Sequence, residues 1–248
     1  MIKMIAAVCR RPGMTHAEYL AYIQHVHGAL SNENPVALRR YVQNHVFDSA
    51  FGSAAEPSHQ QRVGRDSITE LAWDNEQDMV ATFGHEHVRT RVGPDGQNFA
   101  DVSVALSLVA TEVEMPVPHA GRRQGAKVMQ FVRAAEGLTL ETFFERWTSA
   151  HHRALAQTNG TAQWLRRCVQ NRQLPACNEM LRYFNADGIS AYEGVMSLWF
   201  DNLGCIGLFR EYEQALLAIN NDPASAFFQP AQSFFVYATE VPIYERTA

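Results

Sequence analysis

Apolar runs of strand length alternate with amphipathic stretches of helix length along the chain. Lys3–Cys9 has the pattern of a buried strand, and Thr15 with Glu18 three residues later is the capping-box pattern of a helix start. This helix carries an apolar stripe with a histidine on its flank: Tyr19, Tyr22, Ile23, Val26, Leu30 and His27. The pattern then predicts two strands, a helix and a closing strand, at Leu38–Asn44, Ile68–Asp74, about Asn75–Phe83 and Val102–Val113.

The second half of the chain repeats this order. Leu165–Asn171 shares six of its seven residues with Leu38–Asn44, and Ala238–Val241 repeats Ala110–Val113. The offset between the copies grows only in small steps, as expected for a duplicated domain with loop insertions. Proline, glycine and arginine between the copies indicate a linker. We therefore expect domains at residues 1–115 and 127–248, joined by a linker at residues 116–126.

The order of elements predicts an α+β fold. Each half reads βαββαβ, the ferredoxin-like arrangement in which two helices cover one face of a four-stranded sheet. The other face would be left bare, although strands such as Val102–Val109 are apolar or small on both sides. We therefore expect the two tandem ferredoxin-like domains to pack sheet to sheet as an intramolecular α+β barrel. This pseudo-dimer is sufficient as a monomer, and a homodimer remains possible.

Composition narrows the function classes. The 248 residues carry a formal net charge of −5, which argues against nucleic acid as a partner. No apolar run is long enough for a membrane helix, and the N-terminal residues lack a signal-peptide pattern, so a cytoplasmic location is expected. No glycine-rich phosphate loop or paired-cysteine metal motif occurs, and we expect neither a metal nor a nucleotide cofactor.

These motifs resemble the EthD family of dimeric α+β barrel proteins. The resemblance rests on Arg10–Thr15, on the aromatic pair before His27 and on Leu38–Asn44, with a second copy around Trp147, His152 and Arg166–Asn171. It implies a pocket between the sheet and its helices. It also implies several chemistries, because the superfamily includes cyclases, decarboxylases, lactone isomerases, monooxygenases and haem-binding enzymes.

In such a pocket His27 is the candidate general acid/base, since imidazole titrates near neutral pH. Tyr41 and Arg40 are the candidates for stabilising developing negative charge, and Asp101 is the candidate for orienting His27. We expect the second copy to contribute His152 at the position equivalent to His27. The expected substrate-binding residues are Tyr19, Tyr22, Ile23, Asn44, Trp147, His151, Arg167 and Asn171.

These residues favour a cofactor-independent enzyme of the lyase or isomerase type. It would act by proton transfer on a small hydrophobic molecule, aromatic or polyketide-like, as a lyase, decarboxylase, dehydratase or cyclase. Two alternatives remain open. One is a non-catalytic binding or accessory protein of an oxygenase or ether-degradation pathway, in which His27 would be buried against backbone. The other is a haem-binding enzyme with His27 or His152 as the iron ligand.

Overall fold

Eight antiparallel strands form a closed barrel in the computed structural model, which describes residues 1–51, 64–121, 125–184, 190 and 192–246. The strands are β1 Ile2–Val8, β2 Arg40–Phe51, β3 Ser67–Trp73, β4 Leu106–Met115, β5 Ala126–Val132, β6 Leu165–Gln173, β7 Gly194–Phe200 and β8 Phe234–Glu245. Part of the expected linker, residues 122–124, lies outside the described residues.

The order of strands around the barrel is β1-β3-β2-β8-β5-β7-β6-β4. Each half thus supplies four adjacent strands, and the halves join where β2 pairs with β8 and β4 with β6. The predicted barrel and repeat are confirmed. The two sheets meet edge to edge through main-chain hydrogen bonds, so their inner faces enclose one shared interior.

Helices lie outside the barrel. They are α1 His16–Tyr22, α2 Gly28–Glu33, α3 Glu76–Gly84, α4 Gly93–Asp95, α5 Leu140–Gln157, α6 Asn159–Trp164 and α7 Cys205–Asn220. The predicted capping box at Thr15 and Glu18 is confirmed. The first helix is not uniform, because a π turn at Ile23–His27 joins α1 to α2. Its counterpart α5 is α-helical throughout.

Alternation along each strand divides the buried residues into an inner and an outer set. Inside the barrel, one end is filled by apolar side chains: Ile5, Ala7, Ile68, Leu108, Met129, Phe131, Val195, Phe234 and Val236. The other end holds buried charges, with Lys3, Glu70 and Lys127 all at most 3% exposed. An eight-stranded barrel is just wide enough for side chains to fill.

Strand four begins later than predicted. Val102–Val104 forms a 3-10 turn, because Asp101 caps it by accepting a hydrogen bond from the Ser103 amide at 3.2 Å. The strand starts only at Leu106. Among the helices of the described residues, none is long and apolar enough to cross a membrane.

Candidate functional site

His27 lies at the end of the π turn and is hydrogen-bonded to a carboxylate. Its Nδ1 is 2.8 Å from Oδ2 of Asp95, and the side chain is 16% exposed. The hydroxyl of Tyr22 donates to the other oxygen of Asp95 at 2.7 Å, and the Asn98 amide donates to it at 2.9 Å. Phe99 packs against the imidazole, with 4.7 Å between ring centroids.

These contacts determine the protonation states at the site. Burial lowers the pKa of His27, although the Asp95 carboxylate opposes the shift, so the imidazole is neutral at pH 7. Burial alone would raise the pKa of Asp95, but hydrogen bonds from Asn98, Tyr22 and His27 outweigh it and leave the pKa below its usual value. A neutral histidine therefore faces an ionised aspartate.

The carboxylate at His27 is not the one the sequence suggested. The side chain of Asp101 accepts hydrogen bonds from the amide and hydroxyl of Ser103, so the expectation that it orients His27 is wrong. Asp95 lies in the segment Gly93–Asn98, which carries no strand or amphipathic pattern. The only available signal was a carboxylate in a glycine-rich turn.

A chain of hydrogen bonds on β2 reaches the same π turn. Nε2 of Gln43 donates to the carbonyl of Ile23 at 2.6 Å and to the hydroxyl of Tyr41 at 2.9 Å. The Ile23 carbonyl also accepts from the amide of Gly28, which closes the π turn. Burial raises the pKa of Tyr41 to about 12, with the Gln43 bond opposing. Tyr41 is thus a neutral phenol held beneath the helix.

Tyr19, Tyr22 and Ile23 lie on this side of the sheet, as expected. Tyr19 is fully buried and its hydroxyl pairs with Ser67 Oγ at 2.7 Å, while Ile23 and Phe99 pack against its ring. These side chains give His27 an apolar surrounding. They also explain why burial dominates its pKa.

Arg40 and Asn44 lie on the opposite face of β2, inside the barrel. Arg40 Nη2 pairs with Glu112 at 3.2 Å, and Asn44 donates to Glu70 at 2.9 Å. Alternation along a strand separates them from Tyr41, so Arg40 cannot stabilise charge beside that phenol. The grouping of Arg40 and Tyr41 in one site is wrong, and the pairing of Arg40 with Glu112 accounts for the arginine instead.

Arg167 and Asn171 repeat this inward orientation in the second half. Arg167 pairs with Glu114 at 2.7 Å and stacks over Trp199 at 4.5 Å, while Asn171 donates to the carbonyl of Val195 at 2.9 Å. Both are therefore part of the barrel interior and not of a pocket beneath α5.

The second copy of the helix carries two adjacent histidines near its end. Counting from the N-caps Thr15 and Thr139 aligns His27 with His151, whereas the Ala-Leu pair that follows in both copies aligns His27 with His152. His151 is fully buried, and its Nδ1 lies 2.8 Å from the hydroxyl of Tyr212. Burial, assisted by the neighbouring His152, lowers the pKa of His151 to about 4. His151 is thus a neutral core residue without a carboxylate.

Trp147 and His152 take opposite positions on α5. Trp147 is fully buried, stacks on Phe143 at 5.3 Å and presses against Gly194. His152 is exposed and lines a cleft of about 740 Å³ on the outer side of the helix. Within the described chain, His152 makes no hydrogen bond through its imidazole.

The residues fit a haem ligand poorly. A metal-bound histidine almost always donates its second ring N–H to a partner. His27 has such a partner in Asp95 but does not line the 740 Å³ cleft, whereas His152 lines the cleft but lacks a partner among the described residues.

Solved structures define the class of fold. An anthrone oxidase-like protein matches with a TM-score of 0.57 and 10% identity, over 100% of this chain and 95% of its own. A putative chlorite dismutase matches with a TM-score of 0.54 and 12% identity, over 98% and 95%. A putative monooxygenase from Fusobacterium nucleatum matches with a TM-score of 0.51 and 5% identity, over 99% and 98%. The protein shares the α+β barrel fold with these structures, and identities this low show the fold alone.

The family follows from the sequence. The model of the EthD domain matches residues 11–103 and again residues 135–226. The chain belongs to the EthD family and carries the domain twice. No curated protein matches it in sequence.

Proposed function

We propose that this EthD-family protein is a cofactor-independent enzyme that moves a proton on a small hydrophobic molecule, with His27 and Asp95 as its acid/base pair. The hydrogen bond between His27 Nδ1 and Asp95 Oδ2 carries the proposal. The substrate class is aromatic or polyketide-like, and the reaction is of the lyase or isomerase type. In the same proposal each half is a ferredoxin-like unit, and the first half holds the working site.

The geometry supplies a base. An ionised carboxylate only accepts hydrogen bonds, so the imidazole proton is on Nδ1 and the lone pair is on Nε2. When Nε2 takes a proton from the substrate, the positive charge that forms lies beside Asp95, which stabilises it as the aspartate of a catalytic triad does. Tyr22 and Asn98 hold Asp95 in place for this role.

Nearby groups provide the rest of a site. Phe99 and Tyr22 give an apolar wall beside the imidazole, with 5.7 Å between their ring centroids. Tyr41 is a neutral phenol in the layer beneath the π turn and is the candidate donor to an oxygen that gains negative charge.

The same contacts weigh against a passive carrier. A carrier has no need for a carboxylate on its pocket histidine, and a histidine bound to backbone would serve it equally well. His27 is bound to a carboxylate that two further side chains orient. A histidine bonded to an oriented carboxylate is typical of sites that transfer protons.

The test is exchange of an acidic C–H proton with solvent. The wild-type protein would be incubated in D2O with a panel of aromatic ketones that carry an acidic α C–H, plus any small molecule that mass spectrometry finds bound to it. Deuterium incorporation would be followed by proton NMR. We expect His27→Gln to reduce the exchange rate of a responsive substrate by about 10²-fold or more.

A matched control is His16→Gln. His16 also bonds to an aspartate, Asp66, at 2.8 Å, but its side chain is 40% exposed. We expect this variant to exchange at the wild-type rate. A folded His27→Gln protein with full exchange would refute the catalytic role of His27.

A further inference from the structure

A cleft of about 740 Å³ lies on the outer side of α5. It lies in the second half, on the other side of α5 from the buried His151. Its wall is formed by more than three turns of the helix and the end of β6: Glu141, Phe144, Glu145, Thr148, Ser149, His152, Arg153 and Arg172. The volume is in the range of small-molecule sites.

Arg172 is a half-buried guanidinium held by neutral partners. Its Nη2 donates to Oε1 of Gln170 at 2.9 Å and to Oγ1 of Thr148 at 2.8 Å, and its guanidinium carbon lies 5.4 Å from the centre of the Phe144 ring. In the described part of the chain Arg172 donates only to these neutral partners and makes no ion pair, although Glu141 and Glu145 line the same cleft.

Other half-buried arginines of the protein fall into two groups: Arg65 and Arg146 donate to backbone carbonyls, and three others are paired with carboxylates. Arg40 pairs with Glu112, Arg166 with Asp201 and Arg167 with Glu114. Burial also lowers the pKa of Arg172, with no acidic group acting against it. A partly desolvated charge without a counter-charge is costly, and an anion bound to the planar guanidinium fork would offset that cost.

Gln170 fixes the direction of the guanidinium. Its Oε1 accepts from Arg172, so its Nε2 points elsewhere, where it is buried and has no hydrogen-bond partner among the described residues. The first half has the same arrangement with an imidazole in place of the guanidinium, because Nε2 of His45 donates to Oε1 of Gln43 at 3.1 Å. A permanent positive charge at this position is thus a property of the second half alone.

We propose that this cleft binds a small carboxylate with an apolar body. The carboxylate pairs with Arg172, and Phe144 provides the surface for the apolar part. His152 lies at the same cleft and offers a second hydrogen-bond donor. The site is separate from His27 and Asp95 and does not depend on the acid/base function of that pair.

Benzoate and its neutral isostere benzamide test the proposal on the wild-type protein. Binding would be measured by protein-observed NMR titration. We expect benzoate to bind with a Kd of about 1 mM or lower and benzamide at least tenfold more weakly. Equal affinity for the two probes, or no response to benzoate at 20-fold that concentration, would overturn it.

Variants then locate the site. Arg172→Gln should weaken benzoate at least tenfold, and Arg172→Lys should fall between Arg172→Gln and wild type, because lysine keeps the charge without the fork. Arg89→Gln removes an exposed arginine of the first half that does not line the cleft, and it should change the Kd less than twofold. Equal losses in Arg89→Gln and Arg172→Gln would contradict a specific pairing.

A further variant separates this proposal from the proposed enzyme function. His27→Gln should bind benzoate as the wild type does, whether or not it has lost proton exchange. Two results together would refute the assignment to the cleft: loss of benzoate binding in His27→Gln, and benzoate-induced NMR shifts in the wild type at His27 and not at Arg172. They would place the carboxylate at the other site.

Discussion

Nδ1 of His27 lies 2.8 Å from Oδ2 of Asp95, although the two residues are 68 positions apart in the chain. The contact joins the end of the π turn to the segment before β4 and orients the imidazole, while burial keeps the ring neutral. The proton distribution that follows from it can be measured without any substrate.

We expect the His27 ring to be the Nδ1–H tautomer at pH 7. Long-range proton–nitrogen NMR of the imidazole should show a protonated Nδ1 and an unprotonated Nε2. Asp95→Asn should disturb this pattern at His27 and leave that of His16 unchanged. An Nε2–H tautomer in the wild type would show that His27 does not present a free base.

The pH dependence of proton exchange follows from the same pair. The pKa of His27 is lowered by burial and partly restored by Asp95. The active base form is therefore present at pH 7 and is lost as the pH falls through a value below 6.5. Asp95→Asn removes the restoring charge, so the acid limb of the rate profile should move to lower pH while the maximal rate falls. A limb that moves to higher pH would contradict this.

Apolar runs and the capping box at Thr15 and Glu18 predicted strands and helices, because they report local structure directly. The repeat followed from residue identities between the two halves, and the barrel followed from the apolar sheet faces and the family resemblance. Sequence patterns were insufficient for the partner of His27. Asp95 follows a glycine and a proline in a short turn, and only the closed fold brings it to the helix. The misplacement of Arg40 had a different cause, since alternation along β2 already separated it from Tyr41.

The buried His151 should make the protein sensitive to acid. Its pKa is about 4 in the folded state and about 6.5 when unfolded, so the unfolded state binds the extra proton first. The stability it contributes is complete above pH 6.5 and is lost between pH 6.5 and 4, by about 3 kcal/mol in total. Urea unfolding of His151→Gln at several pH values should show a shallower loss over this window. His119→Gln, which removes an exposed histidine, should behave as wild type.

Replacing either of two glycines with alanine should change the free energy of unfolding, in opposite directions at the two positions. A Cβ at Gly194 would lie 2.5 Å from Cζ3 of Trp147, and the buried indole cannot move away. Gly194→Ala should therefore lower the free energy of unfolding by about 1–3 kcal/mol. A Cβ at Gly207 of α7 has no atom within 4 Å, and Gly207→Ala should raise the free energy of unfolding by up to about 1 kcal/mol. Chemical denaturation would measure both, and a stabilising Gly194→Ala would refute the close packing.

We expect the protein not to bind added haem, so the Soret band should stay at the position of free haemin. Neither His27 nor His152 combines a hydrogen-bonded imidazole with the 740 Å³ cleft. Absorption spectra of the protein with equimolar haemin would measure binding, with His152→Ala as the comparison. A shifted Soret band in wild type that His152→Ala abolishes would show that the cleft holds haem.

Glu70 connects two lysines inside the barrel, one from each half of the chain. Lys3 Nζ donates to it at 2.6 Å, Lys127 Nζ also donates to it, and the amide of Asn44 adds a third bond at 2.9 Å. Both lysines are at most 1% exposed, and the position equivalent to Glu70 in the second half is Ser197. One carboxylate thus serves both copies, and its pKa is well below the usual value because the two ammonium groups outweigh its burial.

Removal of this charge should destabilise the whole barrel. Glu70→Gln keeps the shape but leaves Lys3 and Lys127 with only Glu112 and Glu240, and the free energy of unfolding should fall by about 3 kcal/mol. Guanidinium unfolding would measure the change.

Glu114→Gln, at a pair whose carboxylate is 58% exposed, should lower the free energy of unfolding by less than about 1 kcal/mol. Lys127→Met added to Glu70→Gln should recover part of the loss, because it removes the buried charge that Glu70 no longer compensates. Equal effects of Glu70→Gln and Glu114→Gln would show that the buried network does not stabilise the junction of the two halves.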